Sequence, residues 1–129
     1  MRKAIPKKVR QQVFDKYNGH CAYCGCELRY KDMQVDHVNS VYRAELHGNE
    51  VDDSLENYMP ACRSCNFYKG TFTIEQFRFQ LKHTLEKTCV QSFQTKLAMK
   101  YGIVKIIPWN EKFYFETIEQ DPTLIKAKT

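Results

Sequence analysis

Six residues with reactive side chains carry most of the chemical signal in this chain, and the first four are cysteines. Cys21 and Cys24 form a C-x-x-C turn in "GHCAYCG", and Cys62 and Cys65 form a second in "PACRSCN". Two such turns aim four thiolates at one point. That is the donor set of a closed, tetrahedral Zn²⁺ site, with no position left open for a substrate. A redox pair, an iron–sulfur cluster and disulfides are the alternatives. The redox reading wants a single C-x-x-C in a βαβ unit, and the sequence has two turns and no such unit. Cys26 reads as a small buried residue or a substitute ligand, and Cys89 as part of a helical core. The other two reactive residues are Asp36 and His37, in "MQVDHVNS", within the 37 residues that separate Cys24 from Cys62. An imidazole can accept a proton near neutral pH, and a carboxylate is a ligand for a hard cation. A strand ending at a polar turn is the plain alternative. Neighbours on a strand point to opposite faces, so the two can serve one site only at a strand end or twist, and the "NS" turn that follows allows one.

The pattern resembles the HNH endonucleases, with their ββα-metal fold. The matching residues are the C-x-x-C at Cys21 and Cys24, "VDHV" around Asp36–His37, "LENYMPACRSCN" from Leu55 to Asn66, and Lys69 followed by Gly70. The lead-in "VFDKYNGHCAYCG" is also similar, and the likeness spans about residues 5–72. The resemblance implies roles. His37 would be the general base that activates water, and Asp36 a ligand of the catalytic metal. Asn57 would pin the loop that orients the histidine, and Asn66 would be the second metal ligand. Asn66 stands where the family name puts its last histidine, so the chain is an H-N-N variant. A carboxylate and an amide oxygen suit Mg²⁺ or Mn²⁺ better than Zn²⁺. The expected cofactors are thus structural Zn²⁺ and catalytic Mg²⁺ or Mn²⁺. The expected reaction is hydrolysis of DNA phosphodiesters, leaving 5′-phosphate and 3′-hydroxyl ends. A zinc module that binds nucleic acid without cutting it, and a protein–protein adaptor, are the rival readings.

The surrounding elements must hold this constellation. "PKKVRQQVFDKY", residues 6–17, reads as a helix with Val9, Val13, Phe14 and Tyr17 inward and Gly19 just past its end. Asn66 falls on a short helix that starts at the second zinc turn and ends near Gly70. "TIEQ" is a capping box with Thr73 as N-cap and Gln76 at N3, opening a helix with Ile74, Phe77, Leu81 and Leu85 on one face. A second helix is expected over Val90–Tyr101, with Val90, Phe93, Leu97 and Tyr101 inward, and then a hairpin of "IVKII" and "KFYFETI" around "PWNE". The predicted fold is α+β: an N-terminal helix and a zinc-clamped ββα-metal core in residues 1–72, then an extension of two helices and a β-hairpin in residues 73–129.

Charge is arranged in blocks. The net charge is +5, with about +5 in residues 1–16, −5 in residues 17–60 and +5 in residues 61–129. Basic arms around an acidic centre fit a polyanion gripped beside bound cations. Lys7 and Lys8 crowd a helix N-terminus, where positive charge opposes the helix dipole, so phosphate contact explains them better than stability does. Arg63 and Lys69, near Asn66, are the other expected contacts to DNA, most naturally double-stranded. The acidic "NEVDDSLE" reads as a solvated loop. The basic N-terminus lacks the apolar run of a signal peptide, and no segment is long and apolar enough for a membrane span, so the expected setting is cytoplasmic, with reduced cysteines and no membrane partner.

Overall fold

A computed structural model describes residues 2–127, apart from the side chains of Leu85 and Glu86, so the expected inward face at Leu85 lies outside the described residues. The chain divides into two compact units, Met1–Thr73 with Phe113–Thr129, and Ile74–Lys112.

The first unit is built on α1 (Lys7–Lys16) and a two-stranded antiparallel sheet of β1 (Gln34–His37) and β2 (Tyr58–Ala61). Val13, Phe14 and Tyr17 are buried at 3- and 4-residue spacing, which gives α1 its inner face. The helix stops because Asn18 and Gly19 take positive φ, and the Gly19 amide donates back to the Phe14 carbonyl at 3.0 Å. Two cations of α1 then fix where the strands begin. The Arg10 guanidinium donates to the carbonyls of Tyr30 and Met33 at 2.8 and 2.7 Å, just before β1. The Lys16 ammonium donates to Leu55 and Tyr58 carbonyls at 3.0 and 2.9 Å, at the entry to β2. Lys16 is half-buried there, and that burial lowers its pKa.

In the sheet, Gln34 faces Ala61, Val35 faces Pro60, Asp36 faces Met59 and His37 faces Tyr58. Gln34 and Asp36 share one face of β1, and Val35 and His37 the other. A short helix, α2 (Val41–Leu46), follows the strand, capped by the Ser40 hydroxyl on the Arg43 amide at 3.1 Å. After β2 the chain enters α3 (Arg63–Lys69), which ends at Gly70 with φ +49°. The order β1, β2, α3, with one cysteine turn ahead of β1 and the other at the step from β2 into α3, is an α+β arrangement with a ββα core.

The expected C-terminal hairpin is not present. Residues 103–113 are irregular, and the second supposed strand is instead a helix, Tyr114–Gln120. Phe113 and Phe115 alternate as strand residues would, but Phe113 is the N-cap and its amide donates to the Glu116 carboxylate at 2.9 Å. An F-x-x-E start therefore mimicked a strand. This last helix belongs to the first unit. Its Tyr114 and Phe115 amides donate to the Tyr23 and Ala22 carbonyls at 3.0 and 2.8 Å, and the Phe113 and Phe115 rings pack edge-on to Tyr23 at 5.7 and 6.1 Å.

The second unit starts with α4 (Ile74–Gln80), directly after Thr73, with Phe77 buried. It runs on as a π-helical segment, Leu81–Thr88, into α5 (Cys89–Gln91). Ser92 then breaks the helix expected over Val90–Tyr101 and caps α6 (Phe93–Lys100) through its hydroxyl on the Thr95 amide at 3.0 Å. Phe93, Leu97 and Tyr101, expected inward, are exposed. The Tyr114–Gln120 helix is α7. Among the described residues no helix is long and apolar enough to cross a membrane.

Candidate active site

Four sulfurs meet where the two C-x-x-C turns converge. The Sγ atoms of Cys21, Cys24, Cys62 and Cys65 all lie within 4.8 Å of one another. Cys24 and Cys62 are 3.9 Å apart, close to the edge of roughly 3.8 Å that a tetrahedron with about 2.3 Å Zn–S bonds requires. Cys62 is the N-cap of α3, its sulfur accepting the Cys65 amide at 3.5 Å, so the cluster and the helix start are one feature. The first turn is fastened to β2 by the Ala22 amide on the Pro60 carbonyl at 2.8 Å. Gly25 has φ +77°, and a Cβ there would come within 3.0 Å of the Tyr114 ring, so both the turn and the seat of α7 require glycine. Hydrogen bonds with Cys21 and then Cys65 pull the Cys24 thiol down to about 3. The donor set and spacing suit Zn²⁺. Cys26 and Cys89, read as buried, are exposed.

The Asp36 and His37 side chains point apart, and their side-chain partners do not overlap. Asp36 is buried on the α3 side, where its Oδ2 accepts from the Tyr23 hydroxyl and pairs with the Lys69 ammonium at 3.0 Å. Burial and the Asp36 charge push the Tyr23 pKa up, which keeps it a donor. The Lys69 side chain is 0% exposed and Asp36 8%, so the structure does not put Lys69 on the surface beside Lys7, Lys8 and Arg63, which are exposed. Lys69 also donates to the His37 carbonyl at 3.3 Å. Asn66, three residues earlier on α3, donates through Nδ2 to Gln34 Oε1 at 2.6 Å. Gln34 and Asp36 share a face of β1, so Asn66 and Asp36 lie along the same strand–helix seam.

His37 lies on the other face, its side chain 17% exposed, with its ring edge-on to Tyr58 at 5.0 Å. Its Nε2 is 3.0 Å from Asp53 Oδ1. That oxygen also receives the Tyr58 hydroxyl at 3.1 Å and the Arg2 guanidinium. Hydrogen bonds from Arg2 and then His37 pull the Asp53 carboxyl down to about 2, so it is ionised at neutral pH. A cavity of about 580 Å³, lined by Arg2, Lys3, Tyr58 and Asp53 among others, opens onto the imidazole.

Asn57 is buried and ties this face together. Its Oδ1 accepts the Asn39 amide at 2.8 Å, and its Nδ2 donates to the Asn39 and Asp52 carbonyls at 3.2 and 2.8 Å. Its own carbonyl accepts the Val38 amide at 2.9 Å. One side chain thus holds the turn after His37 and the backbone before Asp53. Sequence reasoning missed Asp53, Tyr23 and the burial of Lys69. For Asp53 the available signal was an Asp-Asp-Ser step four residues ahead of Asn57, inside a loop read as solvated.

A ββα core with a four-sulfur cluster at its base and an Asp-His pair at a strand end defines the class of domain. Residues 21–72 match the model of the HNH endonuclease family. The chain is 31% identical over 71 residues to the SPbeta prophage-derived putative HNH endonuclease YoqL of Bacillus subtilis, a match covering 52% of this chain and 30% of that protein. It is 34% identical over 61 residues to the CRISPR-associated endonuclease Cas9 of Corynebacterium diphtheriae, covering 47% of this chain and 5% of that protein. A third relative, uncharacterized protein R423 of Acanthamoeba polyphaga mimivirus, is 29% identical over 76 residues, or 58% of this chain and 13% of that protein. The chain therefore spans less than a third of the length of each.

Proposed function

We propose that this protein is a metal-dependent endonuclease that hydrolyses DNA phosphodiester bonds. The carrying observation is the split at the end of β1: the His37 imidazole turns to an open cavity with basic residues on its wall, and the Asp36 carboxylate turns to the helix that bears Asn66. His37 takes a proton from water, and the oxygen of that water attacks phosphorus. The phosphorus–O3′ bond breaks, and solvent returns a proton to the leaving oxygen. Asp36 and Asn66 offer one carboxylate and one amide oxygen, which fits Mg²⁺ or Mn²⁺. A cation held there would supply Lewis-acid stabilisation of the charge on the phosphate and leaving oxygen. Asn57 keeps the turn after His37 in place. Arg2, Lys3, Lys7, Lys8 and Arg63 supply exposed positive charge for the DNA backbone. Zn²⁺ on the four cysteines joins the start of the core to α3 and has a structural role.

One observation favours a second reading, a zinc module that binds nucleic acid without cutting it: Asp36 already has Lys69 and Tyr23 as partners. Plasmid nicking with Mg²⁺, with and without EDTA, separates the two. His37→Ala is the matched control. The nuclease reading expects it to fold, keep its zinc and shift DNA in a gel, with cleavage slower by roughly 10²–10⁴-fold. Near wild-type cutting by His37→Ala would remove His37 as the base, and no EDTA-sensitive cutting by the wild type would leave the binding module.

A further inference from the structure

We propose that Asp53 is the positioning residue of His37, fixing which imidazole nitrogen is free to take the proton; this rests on the reading of His37 as the base. An ionised carboxylate only accepts hydrogen bonds. At 3.0 Å, His37 Nε2 therefore carries the hydrogen and donates it to Asp53 Oδ1, and Nδ1 keeps the lone pair. A ring that turns freely between tautomers presents its basic nitrogen correctly only part of the time. The contact with Asp53 selects one tautomer and one ring angle together.

Three features show that the pairing is built rather than casual. The Tyr58 hydroxyl donates to the same oxygen at 3.1 Å, and the Tyr58 ring packs edge-on to the imidazole at 5.0 Å. His37 and Tyr58 face each other across the β1–β2 register, so the sheet itself sets that contact. Asn57 then bonds the Asp52 carbonyl at 2.8 Å and both backbone groups of Asn39, which fixes the carboxylate and the imidazole relative to each other although they are 16 residues apart. On this view Asn57 does more than pin the turn after the base: it also carries the partner that orients the base.

The test compares wild type, Asp53→Asn, His37→Ala and the double variant, all zinc-loaded. Asparagine keeps the size of aspartate on a loop whose side chain is 46% exposed, so folding is preserved. Two readouts are used: single-turnover plasmid nicking at saturating DNA with gel-shift affinity alongside, and ¹⁵N chemical shifts of the imidazole nitrogens measured without DNA. Asp53→Asn should cut at least about 10- to 100-fold more slowly at unchanged DNA affinity, the range for losing the hydrogen-bond partner that orients a metal-bound histidine. It should also replace a single Nε2–H tautomer by a mixture. In the His37→Ala background the same change should have no further effect on the rate. Wild-type rate and tautomer in Asp53→Asn would overturn the proposal, as would an equal slowing on top of His37→Ala, which would mean that Asp53 acts elsewhere. If His37→Ala cuts normally, the base assignment fails instead, and the ¹⁵N shifts still decide whether Asp53 orients the ring.

Discussion

Replacing Lys69 with methionine is the sharpest test of how the core holds Asp36. The ammonium has no solvent exposure, sits 3.0 Å from a carboxylate that is itself 8% exposed, and also bonds the His37 carbonyl at 3.3 Å. Methionine fills most of the volume but removes the charge. Asp36 then keeps only the Tyr23 hydroxyl among its described partners. Breaking a buried pair from one side leaves a buried charge uncompensated, which costs about 3–5 kcal/mol. For a unit of this size each kcal/mol moves Tm by about 4–8 °C, so Tm should fall by at least about 12 °C. Urea and thermal melts of zinc-loaded protein measure this. Asp36→Asn combined with Lys69→Met removes both charges, and should recover about 2 kcal/mol or more of what Lys69→Met loses. A surface lysine that contacts phosphate behaves in the opposite way: its loss weakens DNA binding and its salt dependence while stability stays within about 0.5 kcal/mol of wild type. A stable Lys69→Met with weakened DNA binding would refute the buried-pair argument.

The other changes act at separate points. Cys62→Ser takes away both a cluster ligand and the cap of α3, so it should yield poorly soluble protein of low Tm that holds less than one zinc by metal analysis; a stable zinc-free protein would contradict the structural role. Asn66→Ala should raise the Mg²⁺ concentration needed for nicking and Asn66→Asp should keep or lower it, because a carboxylate adds charge to an oxygen site; normal cutting by Asn66→Ala at low Mg²⁺ would remove Asn66 as a ligand. Phe113→Ala removes a buried ring packed on Tyr23 and should cost about 3–5 kcal/mol in a urea melt; a cost under about 1 kcal/mol would contradict that packing.

What could be read from the sequence was what is encoded locally. The cysteine spacing, the Asp-His step and α1 with its Gly19 stop are short-range patterns, and each appears where those patterns put it. The hairpin failed because Phe113–Phe115 alternate for a reason unrelated to a strand: one caps a helix and the other starts its buried face. The inward face of the Val90–Tyr101 stretch failed because Ser92 offers the backbone a cap, and the chain restarts a helix in a new orientation. The missed site residues share a different cause. Lys69 and Asp53 carry charges that composition assigns to the surface, and their partners lie 33 and 16 residues earlier. Only the closed fold brings those partners close enough to make either residue internal to the site.

The two faces of β1 give the Asp-His step its physical sense. A strand cannot aim adjacent side chains at one point, and here it does not try to. The buried face takes the carboxylate, where Lys69 and Tyr23 hold it against α3 and the cysteine cluster anchors that helix. The open face takes the imidazole, where Tyr58 of β2 packs on it and Asp53 and Asn57 hold it from the loop before β2. Lys69 joins the faces, since it bonds the Asp36 side chain and the His37 carbonyl at once. On the proposed nuclease reading, a phosphodiester would approach past the end of β1, beyond His37, to reach both groups. Asn57 uses three side-chain hydrogen bonds to hold the corner at Val38–Asn39 and the loop beside it. If the corner relaxed, the imidazole would lose its register with Tyr58 while the buried carboxylate stayed where it is, so damage at Asn57 should fall on cleavage far more than on zinc content.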